Sequence, residues 1–319
     1  IRTVLGKLQD YREFRDPDDR TNLDKLLQAL TNVTSTFPGF VGEGAEKKLA
    51  DPRAELLSLA TDVERSGSLR SSLRNFSRSA YTVRDLLPED AWRVTDNMQR
   101  SWNPKLSVYL IGSGRLQESV NQLVLQLSAF SGLTNENMSR ETAWLLLNIG
   151  RRLERAVNLI DLLRATLVPC YEKSVEAQMM ETVLVTTNSL IVFRRRYRSF
   201  MQLSTILELL LLDEKYPRTL AYQLRLLKIH IDKLPRERQH ERPHQDEKLI
   251  LDAQEQLRST DHKQLIQLSS HDSSYPLLEK LLLSQKERLE QLSGVLAQLY
   301  FSPTLIPQQM GAAVQDKAS

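Results

Sequence analysis

In the stretch RRLERAVN, residues 151–158, Arg151, Glu154, Arg155 and Asn158 stand at spacings of three and four. Side chains three or four residues apart on a helix are neighbours on one face, so this stretch gathers two guanidiniums, a carboxylate and an amide. Guanidinium forks fit the planar oxygens of carboxylates and phosphates and stay charged at working pH. A carboxylate beside them can orient an amine or move a proton. Nucleophilic catalysis has no candidate here, because neither Cys170 nor any histidine lies in the stretch. The competing interpretation is a solvated ion-pair lattice, which contributes only about 0–1 kcal/mol per pair and needs no function.

The element that must position these groups is a long helix over residues 139–167. Leu146, Ile149, Leu153, Ala156, Ile160, Leu163 and Leu167 follow a 3-4 spacing that marks its core seam. Trp144, Leu145 and Leu147 make its N-terminal half apolar on nearly every side, so that half is expected to be central and the more polar C-terminal half to border a surface or cavity. Further amphipathic segments run over 23–33, 55–61, 68–87, 89–99, 116–130, 176–193, 203–213, 218–234, 248–257 and 276–300. Pro104, Pro169, Pro217 and Pro235 punctuate them.

With only 11 glycines and 12 prolines in 319 residues, of which 41% are hydrophobic, the composition favours helix and starves sheet turns. The fold class is therefore all-α. The 43 basic and 40 acidic residues are interspersed, so neither nucleic acid nor an anionic membrane is an expected partner. A single cysteine, Cys170, excludes an internal disulfide and fits a reducing compartment, with the cytoplasm as the expected location. No uncharged apolar run is long enough to span a bilayer and no signal peptide is read. Ile1 opens in mid-helix pattern, which suggests a piece of something longer.

The chain also resembles itself. Leu56, Leu59, Asp62, Leu69 and Leu73 match Leu207, Leu210, Asp213, Leu220 and Leu224 at an offset of 151, and IRTVLGKL at the start resembles IDLLRATL at 160–167. This suggests a duplicated helical bundle with two pseudo-equivalent halves, about 1–104 and 105–235. The first half's own version of the long helix would then lie upstream of residue 1. Residues 236–247 read as a charged linker-like insertion, 248–302 as C-terminal helices on the bundle, and 303–319 as a flexible tail.

Other motifs carry less chemistry. GSG at 112–114 and GEGAEKKL at 42–49 lack the context of a phosphate loop and read as turns. His240 and His244 have metal-like spacing without a third ligand nearby, so no metal site is expected. FRRRYRSF at 193–200 could stack on nucleobases, but a solvated helix end with Phe193, Tyr197 and Phe200 turned inward explains it better.

SRETAWLLLNIGRRLERAVN resembles the signature helix of the bacterial alpha-E domain family through Ser139, Arg140, Gly150, Arg151, Leu153, Glu154, Arg155, Ala156 and Asn158. Val157 departs from it, standing where the family usually has an acidic residue. LLLDEKYPRTL, which holds Asp213 and Arg218, is similar to the family's second signature, with Thr219 in place of Ser. FPGFVGEGAEKKLADPRAELLSL and LYFSP resemble the form fused behind a circularly permuted ATP-grasp module. The resemblance implies a context: ATP-grasp proteins of the carboxylate-amine ligase type and transglutaminase-like proteases, interpreted as making and trimming a modified peptide. On that basis Arg140, Arg151, Arg155, Asn158, Asp213 and Arg218 are candidate substrate-binding residues and Glu154 a candidate catalytic residue. No intrinsic cofactor is expected; ATP and magnesium belong to the partner. A module that binds or processes the peptide and a non-catalytic scaffold that docks ligase and protease both stay open, and so does whether the domain is itself an enzyme.

Overall fold

The computed structural model describes residues 1–14, 17–102, 114–198, 201–235, 244–268 and 273–301. Among them there is no strand; the elements are helices joined by short turns. In chain order they are α1 (Arg2–Phe14), α2 (Pro17–Thr34), α3 (Ala45–Ala50), α4 (Arg53–Thr61), α5 (Leu69–Thr82) and α6 (Glu89–Ser101). There follow α7 (Arg115–Asn137), α8 (Thr142–Leu167), α9 (Lys173–Thr186), α10 (Leu190–Tyr197), α11 (Leu203–Leu207), α12 (Leu220–Ile231), α13 (Gln245–Arg258) and α14 (Pro276–Phe301). The candidate linker falls mostly on residues 236–243, outside the described residues, but its last residues belong to the start of α13, where the His244 N–H donates to Glu247 at 3.0 Å. The candidate tail at 303–319 and Phe200 also lie outside the described residues.

Helix α8 is the hub, packed against α2, α9, α12 and α14. Its buried line is Leu145, Ile149, Leu153, Ala156, Leu159, Ile160, Leu163 and Leu167, close to the 3-4 seam but with Leu145 in place of the half-buried Leu146. Its N-terminal half is enclosed, with no residue from Thr142 to Ile149 exposed, while Glu154, Arg155 and Asn158 open the C-terminal half to a cavity and Ile160 and Leu163 on its inner face are fully buried. At the C-terminal end a clasp holds α14 against α8: Cys170 N–H donates to Ser273 O at 2.8 Å and Tyr275 N–H to Val168 O at 3.0 Å. Nearly two turns into α8 from that end, Lys286 of α14 reaches both oxygens of Asp161 at 2.7 and 2.9 Å.

Two expected helices depart from regular α-helix within their apolar pattern. The segment 176–193 is broken between α9 and α10 by Asn188, whose φ of 56° ends the helix while Ser189 N–H reaches back to Leu184 O at 2.7 Å. Asparagine tolerates this left-handed conformation better than most residues. The same cap closes α2, with Ser35 at φ 53° and Thr36 N–H on Thr31 O at 3.2 Å. The segment 203–213 finishes in a π-helical turn, Glu208–Leu212, which buries Leu209, Leu210 and Leu211 in succession.

One turn recurs at the offset of 151. Asp62 accepts the N–H groups of Glu64 and Arg65 at 3.0 and 3.3 Å, and Ser68 donates to Asp62 O while capping Ser71 N at 3.0 Å. Asp213 likewise accepts from Lys215 and Tyr216 at 2.7 and 2.8 Å, and Thr219 donates to Asp213 O while capping Tyr222 N at 3.2 Å. Even the anchors correspond: Arg65 donates to Thr36 O at 2.9 Å, and the Tyr216 hydroxyl to Asn188 O at 2.7 Å. The likeness is that of one turn and its anchoring.

His230 near the end of α12 is buried, with its ring edge-on to Trp144 at 5.3 Å. Burial, then the charges of Arg152 and Lys233, lower its pKa to about 4. The folded protein thus holds this imidazole neutral where the unfolded chain would protonate it. Above about pH 6.5 this costs nothing. As the pH falls from there to about 4, the unfolded state gains a proton that the folded state refuses, and stability falls by on the order of 2 kcal/mol. Urea titrations at a series of pH values are expected to show this slope, flattened in His230→Gln.

Candidate functional site

The middle of α8 forms one wall of an open cavity of about 400 Å³. Arg151, Glu154, Arg155 and Asn158 face it, with Leu159 and Leu162 continuing the same face as an apolar stretch. The opposite walls come from the turn before α12, through Pro217 and Arg218, and from the helix ends, through Val33 of α2 and Thr186 and Thr187 of α9. Gln223 of α12 completes it.

Two of the charged groups, Arg151 and Glu154, have hydrogen-bond partners that fix them. Arg151 donates from Nη1 to Ser131 Oγ at 2.8 Å and from Nη2 to Thr134 Oγ1 at 3.2 Å, both on α7. Gln223 ties the walls together: its Oε1 accepts from Arg152 Nη1 at 3.3 Å and its Nε2 donates to Pro217 O at 2.6 Å. Asn158 donates to Glu154 twice, to the backbone oxygen at 2.7 Å and to Oε2 at 3.3 Å. Arg152 and Arg225 lie over the Tyr222 ring at 5.7 and 5.1 Å, next to the cavity.

The electrostatics are lopsided. Among the described residues, no carboxylate pairs within 4 Å with Arg151, Arg152, Arg155 or Arg218. Burial and then the charges of Arg152 and Arg218 hold the Arg155 pKa below the ordinary arginine value, with Tyr222 opposing. Burial and then Arg155 do the same to Arg151. Arginine does not lose its proton at working pH, so the shifts record first the cost of burying these guanidiniums and second their mutual repulsion. An anion would relieve it.

Five of the seven candidate residues thus share one cavity: Arg151, Glu154, Arg155, Asn158 and Arg218. Arg140 does not. It precedes α8, stacks over Trp144 at 4.4 Å and donates to Met138 O at 3.4 Å. Asp213 does not line the cavity either; it organises the turn that carries Arg218 and is paired with Arg196 of the basic run. Burial raises the Asp213 pKa, but the N–H of Lys215, Arg196 and the N–H of Tyr216 outweigh it and leave the carboxyl below its usual range. In the basic run Phe193 is buried and Tyr197 half-buried, as a solvated helix end requires, and Arg194 pairs with Glu181 at 2.8 Å. Thr186, Thr187 and Gln223 were missed because they are far from the motif in sequence and no local pattern marks them.

The recurring turn makes the asymmetry plain. Gly67 stands in the first turn where Arg218 stands in the second, and a Cβ there would lie 2.6 Å from Thr34 O at a φ of +79°. The first turn has no room for an arginine; the second builds a cavity wall from one.

The fold and site define an all-α domain whose central helix presents a Glu-Arg pair to an arginine-lined cavity. The chain belongs to the Alpha-E family, described as a predicted alpha-helical domain with a conserved ER motif, whose model matches residues 1–301. It is similar to the uncharacterized protein Rv2567 of Mycobacterium tuberculosis, with 29% identity over 283 residues, 85% of this chain and 31% of the relative. The uncharacterized protein Mb2597 of Mycobacterium bovis matches at the same identity and coverage. The chain therefore spans about a third of the length of these curated relatives. No solved structure matches. Among the described residues, no helix is long and apolar enough to cross a membrane.

Proposed function

We propose that this domain binds the peptide of an ATP-grasp and transglutaminase-associated amide-ligation system, and that the cavity on α8 is where the peptide sits. The observation that carries this reading is the convergence of Arg151, Arg155 and Arg218, from two separate elements and without carboxylate partners among the described residues, on a cavity that also holds Glu154. A volume of about 400 Å³ is that of a small-ligand pocket. The guanidiniums hold carboxylate or phosphate groups, and Glu154 orients an amine or carries its proton. ATP and magnesium act on the partner ligase, which is a separate protein or a fused domain, and the transglutaminase-like protease acts on the product. The setting is cytoplasmic.

The rival is a non-catalytic helical scaffold for ligase and protease. It is supported by Val124, Leu125 and Leu127, which leave apolar surface exposed on α7.

Arg218→Gln separates the two. Arg218 is exposed and makes no ion pair among the described residues, so its loss should leave the fold intact. In a reconstituted system of full-length protein, ligase, protease and peptide, losing one charge-assisted contact is expected to raise the KM for peptide by roughly ten- to a hundredfold. Arg195→Gln, an exposed arginine outside the cavity, should change nothing. Unchanged product formation by Arg218→Gln would favour the scaffold.

A further inference from the structure

Glu154 sits between Arg151 and Arg155 in sequence and shares a cavity with both and with Arg218, yet it pairs with none of them. Among the described residues, its side chain accepts a single hydrogen bond, from Asn158 at 3.3 Å. A carboxylate can accept several. The unused capacity faces a cavity whose remaining charged groups are all cationic, so a purely anionic ligand would meet three attractive groups and one repulsive one. A ligand with an ammonium as well as carboxylates satisfies all four.

We infer that the cavity takes the free amino end of a short acidic peptide, with the terminal ammonium on Glu154 and carboxylates on Arg155 and Arg218. This rests on the peptide-binding reading above and names the class of peptide. Charge supports it: three guanidiniums and one carboxylate leave the cavity at +2, and a diglutamate with a free amino group carries three carboxylates and one ammonium, which is −2. Space supports it too. The apolar Leu159 and Leu162 lie one to two turns along α8 from Glu154 and can cover the methylene stems of the side chains.

Calorimetric titration of the full-length protein with L-glutamyl-L-glutamate, its N-acetyl derivative and inorganic phosphate tests this. Saturable binding of the free dipeptide is expected, weakened about ten- to a hundredfold by N-acetylation, which removes the ammonium without touching the protein. In Glu154→Gln, with its fold checked by circular dichroism, the two peptides should bind within about twofold of each other. Equal affinity of the free and acetylated peptides for the unaltered protein would overturn the inference while leaving an acidic-peptide site in place. Displacement of the dipeptide by equimolar phosphate would overturn it in favour of a phosphate site. Absence of saturable dipeptide binding would overturn it as well, whereas failure of the peptide-binding reading itself shows separately as an Arg218→Gln protein that supports normal product formation.

Discussion

Glu154→Gln is expected to slow product formation by about 10² to 10⁴ in the reconstituted system and to leave the fold unchanged, the size of effect associated with losing a positioned proton carrier. Glutamine is close in shape and nearly as good a helix former, so propensity and packing are spared. Glu154 is exposed at the cavity and forms no ion pair among the described residues, so no buried partner is orphaned by the change. A lattice charge in the same place would cost under about 1 kcal/mol of stability and no activity. The measurement is the single-turnover rate of amide formation or processing at saturating peptide, with circular dichroism alongside. Saturation matters because it separates the proton-transfer role from the ammonium-binding role: a variant that only binds its peptide more weakly recovers its rate when peptide is raised. Near-normal rate in a folded Glu154→Gln protein at saturation would falsify the catalytic role and leave Glu154 as a binding group.

Leu163→Ala is expected to destabilise the whole chain. Leu163 is fully buried on α8, the helix that touches α2, α9, α12 and α14. Truncating a buried leucine costs about 2–5 kcal/mol, from the lost transfer energy and the cavity left behind. In a chain of this length that lowers the melting temperature by roughly 3 to 8 °C. Because one continuous core runs from Val4 to Leu296, the loss should appear as a single shifted transition monitored by both tryptophan fluorescence and helical circular dichroism. Two separate transitions, only one of them shifted, would show that α13 and α14 form an independent unit.

The two effects fall on opposite faces of one helix, and the contrast shows what could be read from the chain alone. The all-α class was legible, because eleven glycines and heptad-like leucine spacing leave little else. The Arg-Glu-Arg grouping was legible too, since spacings of three and four place side chains together whatever surrounds the helix. The cavity was not. That Pro217, Arg218, Thr186, Thr187 and Val33 close around the grouping depends on how three other elements pack against α8, and contacts between residues distant in sequence leave no local pattern.

The seam on α8 was nearly right, with Leu145 taking the place of Leu146. Periodicity reports which face of a helix is apolar, while burial along the axis depends on where α9 and α14 come to rest. Asp213 and Arg140 are the instructive cases. Both belong to recognisable motifs, yet Asp213 accepts backbone N–H groups to shape the turn that carries Arg218, and Arg140 lies on the Trp144 ring outside the helix. A motif records which residues occur together, but only the fold separates those that face the cavity from those that hold its walls. By itself the sequence determined the helices, their apolar faces and the charged group on α8. The tertiary structure decided which charges meet across space and which stay unpaired, because Coulomb interaction and burial depend on distances that chain separation does not set.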